Sequence, residues 1–182
     1  MRRAGPVATC IVVAAALGLG VAPGSATTTR ASKPPNPCKV LLPDDLKTVF
    51  NQPWRKGVEQ VGGACEWSRP PELKIPNIVV ALIVEQKAST KQAKRAFARG
   101  RIAAEDIAQL VEPIRGLGNE AYLTTILGAD VLSFRVGRDL AEIRVHRIDK
   151  LGETYRDQVL AIGDVVEARL LPPSPTSRQP GG

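Results

Sequence analysis

Residues 120–148 read EAYLTTILGADVLSFRVGRDLAEIRVHRI, and this stretch decides the fold class. Leu132, Phe134 and Val136 alternate with Val131, Ser133 and Arg135, while Ile143 and Val145 alternate with Glu142, Arg144 and His146. Successive side chains on a strand point to opposite faces, so the alternation predicts an antiparallel sheet with one wet face. Three strands are expected, over 120–126, 131–136 and 140–148. Gly128-Ala129-Asp130 and Gly137-Arg138-Asp139 supply the hairpin turns between them.

Upstream, residues 78–84 (IVVALIV) form a continuous β-branched run, the length and composition of a buried central strand. Ser89-Thr90-Lys91-Gln92 then has capping-box spacing and starts a helix. At about 100° per residue, Ala93, Ala96, Phe97, Gly100, Ala103, Ala104, Ile107 and Val111 fall on one side of it, and Lys91, Lys94, Arg95, Arg99 and Arg101 on the other. Pro113 ends this helix or a short strand after it. Gly116-Leu117-Gly118-Asn119 makes a turn that Asn119 and Glu120 pin through bonds to backbone amides. A last helix over 153–170 places Tyr155, Val159, Ile162 and Val166 on one stripe. At the front, Pro43 opens a helix with Asp44 and Asp45 at its positive end, Leu46, Val49 and Phe50 on its apolar side and a stop before Pro53. Gly62-Gly63 opens a short strand through Cys65 and Trp67. Together these elements predict a single α+β domain, an antiparallel sheet with helices packed on one face.

Arg2 and Arg3, the diluted apolar run 7–21 and the small residues Gly24-Ser25-Ala26 have the layout of an export signal over residues 1–26. The run is shorter than the roughly 20 apolar residues of a membrane span. Cys10 belongs to that signal, near the start of the apolar run rather than at its end where a lipid-modified cysteine sits. Cys38 and Cys65 are then the two remaining thiols, and in an oxidising compartment two thiols read as one disulfide. Residues 27–37 and 172–182 are rich in Thr, Ser, Pro and Gly with few apolar side chains, so they are expected as a disordered leader and tail flanking a domain over 38–171. The formal net charge of +7 falls to +5 without Arg2 and Arg3, a mild excess that favours anionic surroundings without naming a partner.

The composition disfavours most chemistry. His146 is the single histidine, and alternation puts it on the sheet face of Glu142 and Arg144. No G-x-S-x-G elbow accompanies it, and both mature cysteines are committed to the bridge. No H-E-x-x-H helix or D-x-D-x-D-G loop marks a metal site, and Gly116-Leu117-Gly118-Asn119 lacks the third glycine and the lysine of phosphate-cradling loops. No catalytic residue, metal ligand or cofactor-binding residue is therefore assigned. Trp67 and Trp54 are expected in the core, one of them alternatively at the mouth of an apolar pocket. Two surfaces carry a functional reading, the exposed sheet face bearing Arg135, Glu142, Arg144 and His146 and the basic helix face, where between Gln86 and Ala104 no acid offsets Lys87, Lys91, Lys94, Arg95, Arg99 and Arg101. Lys91, Lys94, Arg95 and Arg99 are the candidate contacts to an anionic polymer, a lipid headgroup or an acidic protein; the plain alternative is a solvated outer face. Nucleic acid is disfavoured by scarce aromatics and by export.

The blocks Pro37-Cys38-Lys39-Val40-Leu41-Leu42-Pro43-Asp44-Asp45-Leu46, Gly63-Ala64-Cys65-Glu66-Trp67 and Gly116-Leu117-Gly118-Asn119-Glu120-Ala121-Tyr122, followed by the Val136-Gly137 hairpin, make the chain resemble a large actinobacterial family. Its members are small secreted proteins and lipoproteins whose shared domain has no known function. The resemblance spans 38–171 and implies an envelope-associated or secreted α+β domain with one disulfide and no established catalytic residues. The chain departs from the lipoprotein members in lacking a lipobox, and it has Leu42 where family members often place a capping threonine. The expectation is an exported, non-enzymatic binding domain acting in or outside the cell envelope. The alternative is a small-molecule or lipid carrier with a cavity between sheet and helices.

Overall fold

The computed structural model describes residues 34–73, 77–108, 110–148 and 153–172. They belong to one compact unit, Ala31–Gly182. The stretches read as an export signal, most of the leader and the tail beyond Pro172 lie outside the described residues.

A one-turn helix α1 (Pro37–Val40) and α2 (Pro43–Phe50) lead into β1 (Val58–Glu59), β2 (Cys65–Ser68) and β3 (Ile78–Gln86). Then come α3 (Thr90–Ile107), β4 (Val111–Ile114), β5 (Glu120–Ile126), β6 (Ala129–Val136), β7 (Asp139–Arg147) and α4 (Arg156–Leu170). The strands form one antiparallel sheet in the order β1-β2-β3-β7-β6-β5-β4. β3, the run expected to be central, lies between β2 and β7 and pairs with β7 from Ile78↔Arg147 to Gln86↔Asp139.

The main core follows the alternation. Val80 and Leu82, Leu132 and Phe134, and Ile143 and Val145 point to one face, where Leu41, Leu46, Val159, Ile162 and Val166 of the helical layer cover them. α3 does not join that layer. Its Phe97 ring meets Tyr122, centroids 5.1 Å apart, on the opposite face of the sheet, where Ala104 completes a small second cluster. The one-sided arrangement thus holds for α1, α2 and α4 only. The physical reason is that the supposedly wet face carries enough apolar surface, in Tyr122, Leu140 and Val111, to seat a helix whose inner side is mostly alanine.

Several boundaries move for local reasons. The β5–β6 hairpin turns on Leu127-Gly128, and the β6–β7 hairpin on Gly137-Arg138. Asp130, expected in a turn, is a buried β6 residue whose carboxylate accepts from Thr125 Oγ1 at 3.1 Å and from the Tyr155 amide at the start of α4. A carboxylate there suits the positive end of the helix dipole and explains why α4 begins at Arg156 rather than at Glu153. Val111, expected on the α3 face, opens the edge strand β4, where Pro113 is tolerated. Asn36 Oδ1 accepts from Cys38 N at 2.9 Å and caps α1, so the folded unit takes in the last residues of the stretch assigned to the leader. Leu42 offers no cap to α2, but its amide donates to Asp45 Oδ2 at 2.8 Å.

Cys38 on α1 is bonded to Cys65 on β2, with the Cα atoms 5.3 Å apart. Trp67 is 0% exposed beside it. Gly57 closes the stack: a Cβ on it would stand 2.5 Å from Cys65 Sγ and 2.6 Å from Trp67 Nε1. The bridge, the indole and the backbone of the segment preceding β1 are therefore in direct contact.

Candidate functional site

The site is built on α3. Ser89 Oγ accepts from Gln92 N at 3.2 Å and starts the helix where the capping sequence places it. Ala93, Phe97 and Ala104 face the sheet and are buried. Small side chains let the helix lie close: a Cβ on Gly100 would make ordinary contact with Tyr122 Oη at 3.4 Å. Tyr122 is hydrogen-bonded to Ser133 on β6, and burial pushes the phenol above its usual value, partly opposed by that bond. It is a neutral anchor for the helix.

The buried side of α3 sets which residues face water. Lys91, Lys94, Arg95 and Arg99 are all exposed, and among the described residues none of the four pairs with a carboxylate. Two other cations of the run are neutralised: Lys87 pairs with Glu85, and Arg101 lies 3.7 Å from Glu105. The four candidate contacts are thus the uncompensated part of the stripe. Ile102 lies in their midst at 56% exposure.

Among the grooves that border the helix, one of about 400 Å³ lies between Lys94, Arg101 and Glu105 and strands β4 and β5, and two others are more apolar. One, of about 320 Å³, runs between α3 and the sheet over Ile83, Phe97, Tyr122, Ser133 and Glu142, with Arg99 on its rim. The other, of about 400 Å³, lies at the C-terminal end of α3 and is lined by Ile107, Ile126, Leu127, Val131, Arg144 and His146. Ile107, expected on the buried side, is 69% exposed, because the helix runs past the edge of the small second cluster before it ends.

His146 is half-buried on the wall of the end groove. Ser133 pairs across the sheet with Glu142, four residues along β7 from His146, which is about 13 Å at strand spacing. That separation is too long for a hydrogen-bonded nucleophile and base. Arg144 on the same face is held by Glu142 at 2.6 Å. Among the described residues no three His, Cys, Asp or Glu side chains come together.

Arg135, expected on the exposed sheet face, is 6% exposed. It donates to Asn119 Oδ1 at 3.2 Å and Gly137 O at 2.8 Å, and it lies 3.6 Å from Glu120. Asn119 Oδ1 also accepts from Gly137 N at 2.7 Å, and Glu167 Oε1 accepts from Gly118 N at 2.9 Å. In the Gly116-Leu117-Gly118-Asn119 turn the Gly118 amide is thus taken by a side chain of α4 and the Asn119 amide by Arg135 O at 2.7 Å, tying the loop before β5 to the β6–β7 hairpin and to α4. Gly118 has φ +58°, and a Cβ there would stand 2.5 Å from Arg135 O.

Trp54 is buried against Phe50, ring centroids 5.0 Å apart, rather than at a pocket mouth. The guanidinium of the buried Arg69 lies 5.4 Å from Trp54 and 5.5 Å from Phe50. Burial lowers its pKa without discharging it. Nothing in the sequence around Arg69 announced this stacking. Among the described residues no helix is long and apolar enough to cross a membrane. No family model, curated protein or solved structure matches the chain.

Proposed function

We propose that this protein is an exported, non-enzymatic binding domain that engages an anionic component of the actinobacterial cell envelope through the outer face of α3. The observation that carries the reading is the set of four exposed, uncompensated cations, Lys91, Lys94, Arg95 and Arg99, on one helix. A field of one sign on a rigid element attracts polyanions and headgroups and raises their rate of encounter. The N-terminal arginine and apolar pattern, the bonded pair of cysteines and the resemblance to small secreted actinobacterial proteins support action outside the cytoplasm.

The interior supports surface contact over carriage. Trp67, Phe134, Leu132, Ile143 and Ile162 fill the space between the sheet and the α1, α2 and α4 layer, each with essentially no exposure. The test is binding of the protein, purified from an exporting host, to envelope fractions across a salt series. The expected outcome is salt-sensitive binding that is lost on reversing Lys91, Lys94 and Arg95 to glutamate. Unchanged binding of that variant removes α3 from the account.

A further inference from the structure

We propose that the groove between α3 and the second face of the sheet is a binding site for a small aromatic carboxylate bearing a hydroxyl, a single-ring phenolic acid in size and polarity. This goes beyond the polyanion reading, since of the four uncompensated cations only Arg99 lines the groove. The floor is one row across four strands: Tyr122 pairs with Ser133, Ser133 with Glu142 and Glu142 with Ile83. At about 4.8 Å between strands the row runs roughly 14 Å. Ala96, Phe97, Arg99 and Gly100 of α3 make the wall.

The volume of about 320 Å³ lies at the low end of the roughly 300–1,000 Å³ of small-molecule sites, which limits the occupant to about one ring and a short chain. The charge balance leaves one cation. Glu85 is engaged by Lys87 and Glu142 by Arg144, whereas among the described residues Arg99 pairs with no carboxylate. One anionic group is therefore complementary, and a guanidinium holds a carboxylate through two parallel bonds. Apolar contact comes from Ile83, Phe97, Tyr122 and Leu140, two of them aromatic, which favours a ring over an aliphatic chain. Both contacts from Arg144 fall on Glu142 Oε1, and a carboxylate accepts at both of its oxygens. A hydroxyl on the ring can donate to Glu142, while a second carboxylate there would be repelled.

Gly100 is an independent sign that the space is kept open. It lies inside the 18-residue helix, where glycine is less stable than alanine. Packing does not require it: an added Cβ would meet Tyr122 Oη at an ordinary 3.4 Å and, outside its own helix, nothing else within 4 Å. The residue weakens the helix without serving the fold, and what it leaves is room beside Tyr122 in the groove.

The experiment is an amide NMR titration of the exported protein with para-hydroxyphenylpropionate. Saturable shifts are expected at residues 96–100, 133 and 140–142. Arg99→Gln, and separately the neutral amide of the probe with the wild type, are expected to weaken binding about tenfold. Gly100→Leu fills the groove and is expected to abolish binding, whereas Gly100→Ala is expected to raise the melting temperature by about 2 to 4 °C. Phenylpropionate, which lacks the hydroxyl, is expected to bind about fivefold more weakly. Reversal of Lys91, Lys94 and Arg95 to glutamate leaves probe binding intact, so this site and envelope binding stand or fall separately. Shifts that do not saturate, or that gather at Lys91, Lys94 and Arg95, overturn the site. Wild-type affinity in both Arg99→Gln and Gly100→Leu does the same, and equal affinity for phenylpropionate strikes the hydroxyl from the ligand class.

Discussion

Replacing both cysteines of the bridge, Cys38→Ala with Cys65→Ala, perturbs the front of the domain in a way the structure lets us size. The bridge spans a sequence separation of 27 and encloses α2, Trp54 and β1. In the chain-entropy model a loop of that length corresponds to about 3.6 kcal/mol at room temperature. Cys65 is fully buried against Trp67 and Gly57, so removing its sulfur also leaves a small void, adding about 1 kcal/mol. The expected loss is about 4 to 5 kcal/mol, a large share of the ~5 to 15 kcal/mol typical of a domain. The variant should still fold. Arg169 donates to both carboxylate oxygens of Asp45, at 2.5 and 2.8 Å, and to Val40 O at 2.6 Å, which keeps α1 and α2 tied to α4. Urea unfolding followed by the fluorescence of Trp54 and Trp67 reads the loss directly. At about 2 to 4 °C per kcal/mol for a domain of this size, the melting temperature should drop by roughly 10 to 15 °C. The slope against urea should steepen as the denatured chain expands. A double variant that melts within about 2 °C of the wild type would refute the reasoning, because the loop-entropy term alone exceeds that change.

Other consequences can be measured on the same footing. Gly57→Ala places a methyl 2.5 Å from Cys65 Sγ and should cost about 2 to 3 kcal/mol, read as a lower urea midpoint at unchanged slope. The Tyr122 phenol ionises at a higher pH in the fold than in the unfolded chain. Its contribution is thus present below about pH 10 and is lost as pH rises past the unfolded value towards the folded one. Unfolding followed from neutral to strongly alkaline pH should show Tyr122→Phe losing stability less steeply above about pH 10 than the wild type.

The parts of the fold legible in the sequence are those where a residue's neighbours along the chain determine its environment. Residues 131–147 alternate in sequence because β6 and β7 each send one side into a filled core; β7 also alternates in burial, whereas β6 is buried from Asp130 to Val136 because its second face is covered too. The bridge was legible because the choice among thiols was so small, and Ser89 because a cap acts within one turn. What escaped depends on partners far away in sequence. The second-face position of α3 rests on Phe97 meeting Tyr122 and on alanines whose small side chains give a weak apolar signal. Asp130 and Arg135 read as polar turn and surface residues, yet one caps a helix 25 residues on and the other locks the Asn119 turn. Within the candidate site the cations were legible as a stripe. Which of them stay uncompensated was not, since Glu105 neutralises Arg101 only once the helix brings the two within 3.7 Å. Leu127 escaped because the composition put the turn on Gly128-Ala129-Asp130 and started the next strand two residues late, whereas its exposure and positive φ belong to a tight turn on Leu127-Gly128.

The contact face itself is tested most directly by amine labelling of the exposed lysines, with and without bound envelope material. Lys91 and Lys94 lie on α3, whereas Lys39 and Lys47 lie on α1 and α2, across the sheet. The account predicts that Lys91 and Lys94 become protected on binding while Lys39 and Lys47 label as before; equal protection at all four, or protection on the α1 and α2 side alone, would contradict it.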